Sequence, residues 1–435
     1  MVRLLLLLAF LLPIASGCAP HRLTEEQMLD PQECASCHAR AVDEWEGSMH
    51  AYASKDPVFR ALVAKGQEET DGGLGAICVT CHAPLAVQMG ATDDGLNLDE
   101  VDDALQGVTC AACHMADSVD GLNNNQITLA QDGVMRGAWG DPRATDAHDS
   151  ARAPHLDRGH RASSDMCGAC HDVVLPNGLH LEQTYKEWSE SVFATQPETQ
   201  LSCGQCHMRG RDGFGSDEPG ARERTLHDHS MPGMDVALND FPRREQQRQE
   251  VQDLLDISLL AFLGARVGPG GLIFDYTLEN VGSGHGFPSG AAHNRRVWVE
   301  FEAWSGDQLI YSSGLAGEEE AVLDLDDPDL WMMRDIIYGA DGEEVKHAWE
   351  AVTMDKVQLS PGLTADPVDP AFVHSVTRSY QVLGTPDRVR AQVRMRPFGL
   401  DVVGPLVDGG YLEQSAVDAM PTFLLASTVK EWTAE

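Results

Sequence analysis

The chain has 435 residues and a formal charge of −37 at pH 7, from 68 acidic against 31 basic side chains. That balance makes nucleic acid and anionic membrane surfaces poor partners, and it would steer a basic redox protein towards this one. The length allows two or three domains.

Met1–Gly17 has one basic residue, Arg3, an apolar run Leu4–Leu12, and the small residues Ala15-Ser16-Gly17. This is the pattern of a secretory signal, too short for a spanning helix. Cys18 follows directly and resembles the acylated first residue of a bacterial lipoprotein. The chain is therefore expected in the periplasm or on the outer membrane, lipid-anchored at Cys18 through a tether of residues 18–30. The alternative is a soluble exported protein that loses Cys18 or leaves it free.

The other ten cysteines stand in five copies of Cys-x-x-Cys-His: Cys34/Cys37/His38, Cys78/Cys81/His82, Cys110/Cys113/His114, Cys167/Cys170/His171 and Cys203/Cys206/His207. In this phrase two thiols can bond to one haem and the next imidazole can bind its iron. A zinc ribbon needs no His after every Cys pair, and a thioredoxin-type motif occurs once beside a βαβ pattern. Five covalent haems c are expected, with those five His as proximal ligands, across residues 31–238. With Cys18 set aside, the motifs use every thiol and no disulfide is expected.

In chain order, Ala39–Glu46 lacks Gly and Pro and predicts a helix leaving the first motif. The pattern resumes from His50 to about Glu69, interrupted at Pro57. His50 is too far along to bind the first iron and would serve a neighbour. Asp71–Gly75 predicts a turn. Asp93–Asp103 reads as a solvated acidic loop, or as a calcium site of non-EF-hand spacing. Asp117–Ala153 predicts a long ordered loop lying over haems. Glu187-Trp188-x-x-Ser191 repeats Glu44-Trp45-x-x-Ser48, but Phe193 stands where the first copy has His50. Residues 239–253 predict a charged helical linker. Beyond it, Ile257–Val267 and Leu272–Glu279 flank Gly268-Pro-Gly-Gly271, a hairpin signal. Val297–Trp304 and Arg388–Arg396 alternate, and a turn at Ala340–Glu343 joins Asp335–Tyr338 to Val345–Ala351. The fold expected is a helix-poor, loop-rich, haem-packed core followed by an all-β sandwich-like domain over 254–435. Arg388, Arg390, Arg394 and Arg396 read as a solvated face, with haem propionates as the alternative partner.

Cys34…His38 with Glu44-Trp45, Ser48 and His50, Cys110…His114-Met115, Met166–Asp172, Tyr185…Trp188 and Cys203…His207-Met208 together resemble multihaem c-type cytochromes. Within these the likeness is to the tetrahaem cytochromes of nitrifying bacteria and the hydroxylamine oxidoreductases, over about residues 31–235. The phrase Asn280–Gly290 with Arg296 resembles a β-domain joined to such cores in some anaerobes. The resemblance implies closely stacked haems, mostly with two His ligands each. It implies His50, His160, His229 and His285 as distal ligands, with His155 preferred to His148 for the fifth. No Cys-x-x-Cys-Lys motif is present, unlike the catalytic site of pentahaem nitrite reductases. The expected function is electron transfer in the cell envelope, in an anaerobic respiratory chain. The alternative is an oxidoreductase acting on a small nitrogen or sulfur oxyanion at one five-coordinate haem. The C-terminal region would suit docking to a partner in either case.

Overall fold

The computed structural model describes residues 22–434; the signal segment and Cys18 lie outside them. Among the described residues no helix is long and apolar enough to cross a membrane. The chain is mixed helix and sheet throughout, with several small sheets.

The first haem motif lies inside the helix Pro31–Glu46, which starts where Asp30 accepts a hydrogen bond from Gln32 N and Pro31 occupies the first turn. The helix kinks at His38, whose φ/ψ of −117°/37° is non-helical. The predicted Ala39–Glu46 helix is the part beyond that kink. Ser48 caps Met49–Tyr52 and Asp56 caps Pro57–Glu69, so Gly47 and Pro57 divide the run as expected. Each such cap is worth about 1 kcal/mol.

From 117 to 153 the chain holds no helix. Its short strands pair with one another: Ala116–Val119 with Ile127–Leu129, and Val134–Gly137 in parallel with Asp149–Arg152. The expected linker helix is Arg244–Leu255.

Beyond it, Gly271–Asn280 lies between Leu259–Gly268 and Ser375–Leu383, all antiparallel. A five-stranded sheet runs Gln308–Ser313, Arg296–Ser305, Arg388–Arg396, Phe423–Thr433, with Met332–Met333 also on Arg296–Ser305. The alternating strands turn Val297, Val299, Phe301, Val389, Ala391 and Val393 into one apolar cluster with Phe274, Tyr276 and Tyr380 of the other sheet. Phe301 stacks on Tyr380 at 4.3 Å across that junction. Val58 and Ala61 from Pro57–Glu69 join the same cluster, so the apolar core runs across residues 239–253.

Four readings need amending. Leu400–Asp408 and Gln414–Asp418 are helices within the C-terminal region. Asp335–Tyr338 takes Thr353–Lys356 as its main partner, because after Glu344–Val345 the chain turns through a short 3-10 helix at Ala348–Glu350. The arginine row is solvated only in part: Arg388 is exposed over the Trp304 ring and Arg394 pairs with Glu300 at 2.7 Å, but Arg396 is buried against the carbonyls of Glu318 and Glu320. The fourth concerns Cys37, which is disulfide-bonded rather than a free thiol.

Arg296 and Asp401 form a bidentate pair at 3.0 and 2.6 Å, their side chains 2% and 3% exposed. Arg296 also donates to the carbonyls of His293 and Arg295. Burial pushes the Asp401 carboxyl up, but Arg296 and Lys346 outweigh it and hold it below its ordinary value. A depressed carboxylate adds stability that is complete above about pH 4, its unfolded value, and is lost as pH falls further. Asp401→Asn strands a buried guanidinium and is expected to cost about 3–5 kcal/mol at pH 7 by chemical denaturation. The gap between variant and parent should narrow below pH 4.

Candidate haem-ligand sites

In the third and fifth motifs the histidine closes a short helix that also carries both cysteines, Cys110–His114 and Cys203–His207. The fourth motif has Gly168 where a Cβ would meet the Tyr185 ring at 2.3 Å. Any larger residue there would push that ring from its place beside the motif.

Nine of the ten motif cysteines are free thiols, whereas Cys37 is in a disulfide.

Four of the five motif histidines face a second imidazole. His38 faces His148 with ring centroids 6.4 Å apart. His171 faces His50 at 6.2 Å, His114 faces His229 at 6.3 Å, and His207 faces His285 at 6.4 Å. Two rings stacked for their own sake sit closer, and these pairs share no direct hydrogen bond. A ring nitrogen binds a transition metal at about 2 Å. With the ring centre about 1 Å behind each nitrogen, two imidazoles on one metal have centroids about 6 Å apart. The spacing fits an iron between the rings.

The hydrogen bonding fits as well. Nδ1 of His38, His82, His114, His148, His207 and His285 each bonds to a backbone carbonyl: Gly215, Ala53, Arg136, Asp149, Pro232 and Gly286. Nδ1 must then carry the proton, which leaves the Nε2 lone pair free to bind metal. Burial lowers the proton affinity of His50 to about 3 and of His114 and His207 to about 4, so the rings are neutral at pH 7. Neutral imidazole is the ligand form. Among the described residues no group of three or more His, Cys, Asp and Glu could hold a metal ion. Two axial His per iron suit a haem, whose macrocycle supplies the other four donors.

His82 is different. Its ring lies flat on Phe59, with centroids 4.0 Å apart and planes 5° apart. Among the described residues it faces no second imidazole.

The expected partners His50, His229 and His285 stand opposite motif histidines; His155 and His160 do not. His160 is exposed, and its Nδ1 accepts from Ala162 N in its own turn. His155 sits half-buried on the 3-10 turn Pro154–Leu156, its Nε2 without a partner. His148 takes the place expected of His155. The strand Asp149–Arg152 pairs with Val134–Gly137, and Ala147 accepts from Leu23 N, which together carry His148 to His38. Asp-Ala-His148-Asp has no feature that would have signalled this. Phe59 was likewise unmarked within an amphipathic helix.

The motifs adjoin one another. Cys34 lies beside Cys110, Cys167 beside Cys203, and Cys170 beside Cys81. The first motif thus lies beside the third, and the fourth beside both the second and the fifth. Within the acidic run 93–103, Asp99 pairs with Arg60, Asp103 with Lys55, and Asp94 and Asp102 accept from Leu96 N and Ala104 N.

Residues 33–115 match the family model described as cytochrome c554 and c-prime. Among solved structures, a penta-haem cytochrome c552 from Thermochromatium tepidum is similar with a TM-score of 0.64, over 95% of this chain and 100% of that one, at 20% identity. No curated protein matches the chain.

Proposed function

We propose that this multihaem c-type cytochrome holds five haems, one per Cys-x-x-Cys-His motif, and passes electrons between partners in the cell envelope. Haem c supplies one-electron exchange at its iron. The motif cysteines anchor the groups, and His38, His82, His114, His171 and His207 bind from one side. His148, His50, His229 and His285 bind from the other side at four of the sites. The observation that carries this reading is the set of four facing imidazole pairs at 6.2–6.4 Å within adjoining motifs. Two imidazoles leave no position for a substrate, so these residues hold carriers rather than catalysts. The adjacency of motifs one and three, and of four with two and five, gives neighbouring sites short paths for electrons.

The same reading has the chain exported and lipid-anchored at Cys18, with a basic redox protein as partner and an anaerobic respiratory chain as its setting. The charge of −37 supports the partner class. A C-terminal β-domain that docks the haem region to that partner is compatible with it.

One observation favours a second role. His82 faces Phe59 and no imidazole among the described residues, so its site can stay open to a small nitrogen or sulfur oxyanion. An open position is necessary for such chemistry but does not establish it.

Intact mass measurement of the mature protein should give five haem additions, and the fully reduced protein should not turn over nitrite or hydroxylamine. Four or fewer additions on homogeneous protein would refute the five-haem assignment. Sustained turnover would replace the carrier by the oxidoreductase.

A further inference from the structure

The Glu-Trp-x-x-Ser repeat does the same work twice, at two different sites. Ser48 and Ser191 are both fully buried and cap the helices that follow, accepting from Ala51 N and Phe193 N at 3.3 Å. Trp45 Nε1 donates to the Val108 carbonyl at 2.8 Å, and Trp188 Nε1 to the Leu201 carbonyl at 2.9 Å. Each acceptor lies two residues before the first cysteine of a motif, Cys110 and Cys203. The two tryptophans therefore hold the backbone leading into the third and fifth motifs.

The glutamates reach the opposite side of the same two sites. Glu44 Oε2 accepts from His229 N at 3.2 Å and lies 3.9 Å from His229 Nδ1. His229 is the ring facing His114 of the third motif. Glu187 Oε2 accepts from Gly286 N at 3.0 Å and from Ser289 Oγ at 2.8 Å. Gly286 in turn supplies the carbonyl that binds His285 Nδ1, and His285 faces His207 of the fifth motif. Both carboxylates are nearly buried and matched by cations: Glu44 by Arg40 and Arg211 at 2.8 and 2.7 Å, Glu187 by Lys356 at 2.6 Å. Adjacent residues on one helix thus tie the motif side and the facing-histidine side of one site. The second copy repeats the wiring at another site, 143 positions along in the sequence (44 to 187).

We propose that each Glu-Trp pair is a clamp that sets the spacing and orientation of the two imidazoles at one haem. On this assignment Glu44 and Trp45 position His229 against His114, and Glu187 and Trp188 position His285 against His207. The four are positioning residues, and their role rests on reading these imidazole pairs as axial ligands. Glu44 acts on its histidine directly: a carboxylate near the ring makes the imidazole a stronger donor, which favours the ferric state. Glu187 acts through the Gly286 peptide, so it governs ring orientation more than basicity.

The test uses the full-length holoprotein. His229→Ala and His285→Ala first mark which low-spin signal belongs to which site by converting it to high-spin. Glu44→Gln keeps side-chain volume and should raise the midpoint potential of the His229-marked haem. The expected size is about a tenfold change in its ferric-to-ferrous ratio at fixed potential, about 59 mV for one electron. Glu187→Gln should shift the low-temperature g-values of the His285-marked haem, leaving the other unmoved. Glu44→Asp should recover part of the first effect. Trp188→Phe gives a second route to the fifth-motif haem should Glu187→Gln fold poorly. Unchanged g-values and potentials at the marked haems would overturn the clamp, as would equal shifts at every haem. If His229→Ala and His285→Ala leave every haem low-spin, the ligand assignment itself fails.

Discussion

Replacing His148 by alanine is expected to turn one low-spin haem high-spin, whereas His155→Ala and His160→Ala should leave the spin count unchanged. The three side chains lie within thirteen positions of one another in a stretch of loop and short strand, and sequence spacing does not separate them. Geometry does. Only His148 presents its ring to a motif histidine, 6.4 Å from His38, with its Nδ1 bonded to the Asp149 carbonyl. Removing it leaves His38 as the sole protein ligand at that site. Electron paramagnetic resonance of the three oxidised variants checks this, and conversion by His155→Ala in place of His148→Ala would reverse the assignment.

The second large effect is expected at the fourth motif. Replacing Cys167 and Cys170 by serine should abolish recovery of folded protein rather than lower its melting temperature by a few degrees. Cys167 adjoins Cys203, Cys170 adjoins Cys81, and His171 faces His50. One lost attachment therefore loosens two neighbouring sites as well as its own. The apolar clusters around the haem motifs are small, such as Leu85, Ala111, Ala112 and Met115, and offer little to replace what the haem holds together. A domain's net stability is only about 5–15 kcal/mol, less than the loss of such a hub would remove. Limited proteolysis of the exported variant measures this. Protease-resistant protein carrying four haems would show that the fourth motif is dispensable.

Much of this was legible in the sequence because haem attachment is written locally. Five residues specify each covalent site, and Ser48, Asp56 and Pro57 announce the helix breaks that surround the first. Strands such as Arg388–Arg396 follow from period-two alternation. The disulfide at Cys37 was not legible, because a motif shows which thiols can take a haem and not the oxidation state in which each is found. Facing ligands are not written locally either. His50 and His229 are separated by 121 and 115 positions from the rings they face; the family likeness suggested them, and chain geometry brings them in. His148 depends on a parallel pairing of two four-residue strands that no periodicity marks. The Glu-Trp repeat was visible, but not its use, since its partners Val108, His229, Leu201 and Gly286 lie on four separate loops. The arginine row misled for a related reason. Alternation gives the face on which a side chain emerges, and Arg396 is buried by the segment 317–320 crossing that face.

Spin-state quantification of the oxidised, full-length protein tests the central claim most directly, read together with carbon monoxide binding to the reduced form. The facing pairs at His38, His114, His171 and His207 predict four low-spin haems, and His82, which faces no second imidazole among the described residues, predicts one high-spin haem that binds carbon monoxide. His82→Ala should change that signal alone. Five low-spin haems with no carbon monoxide shift, or fewer than four low-spin haems, would contradict it.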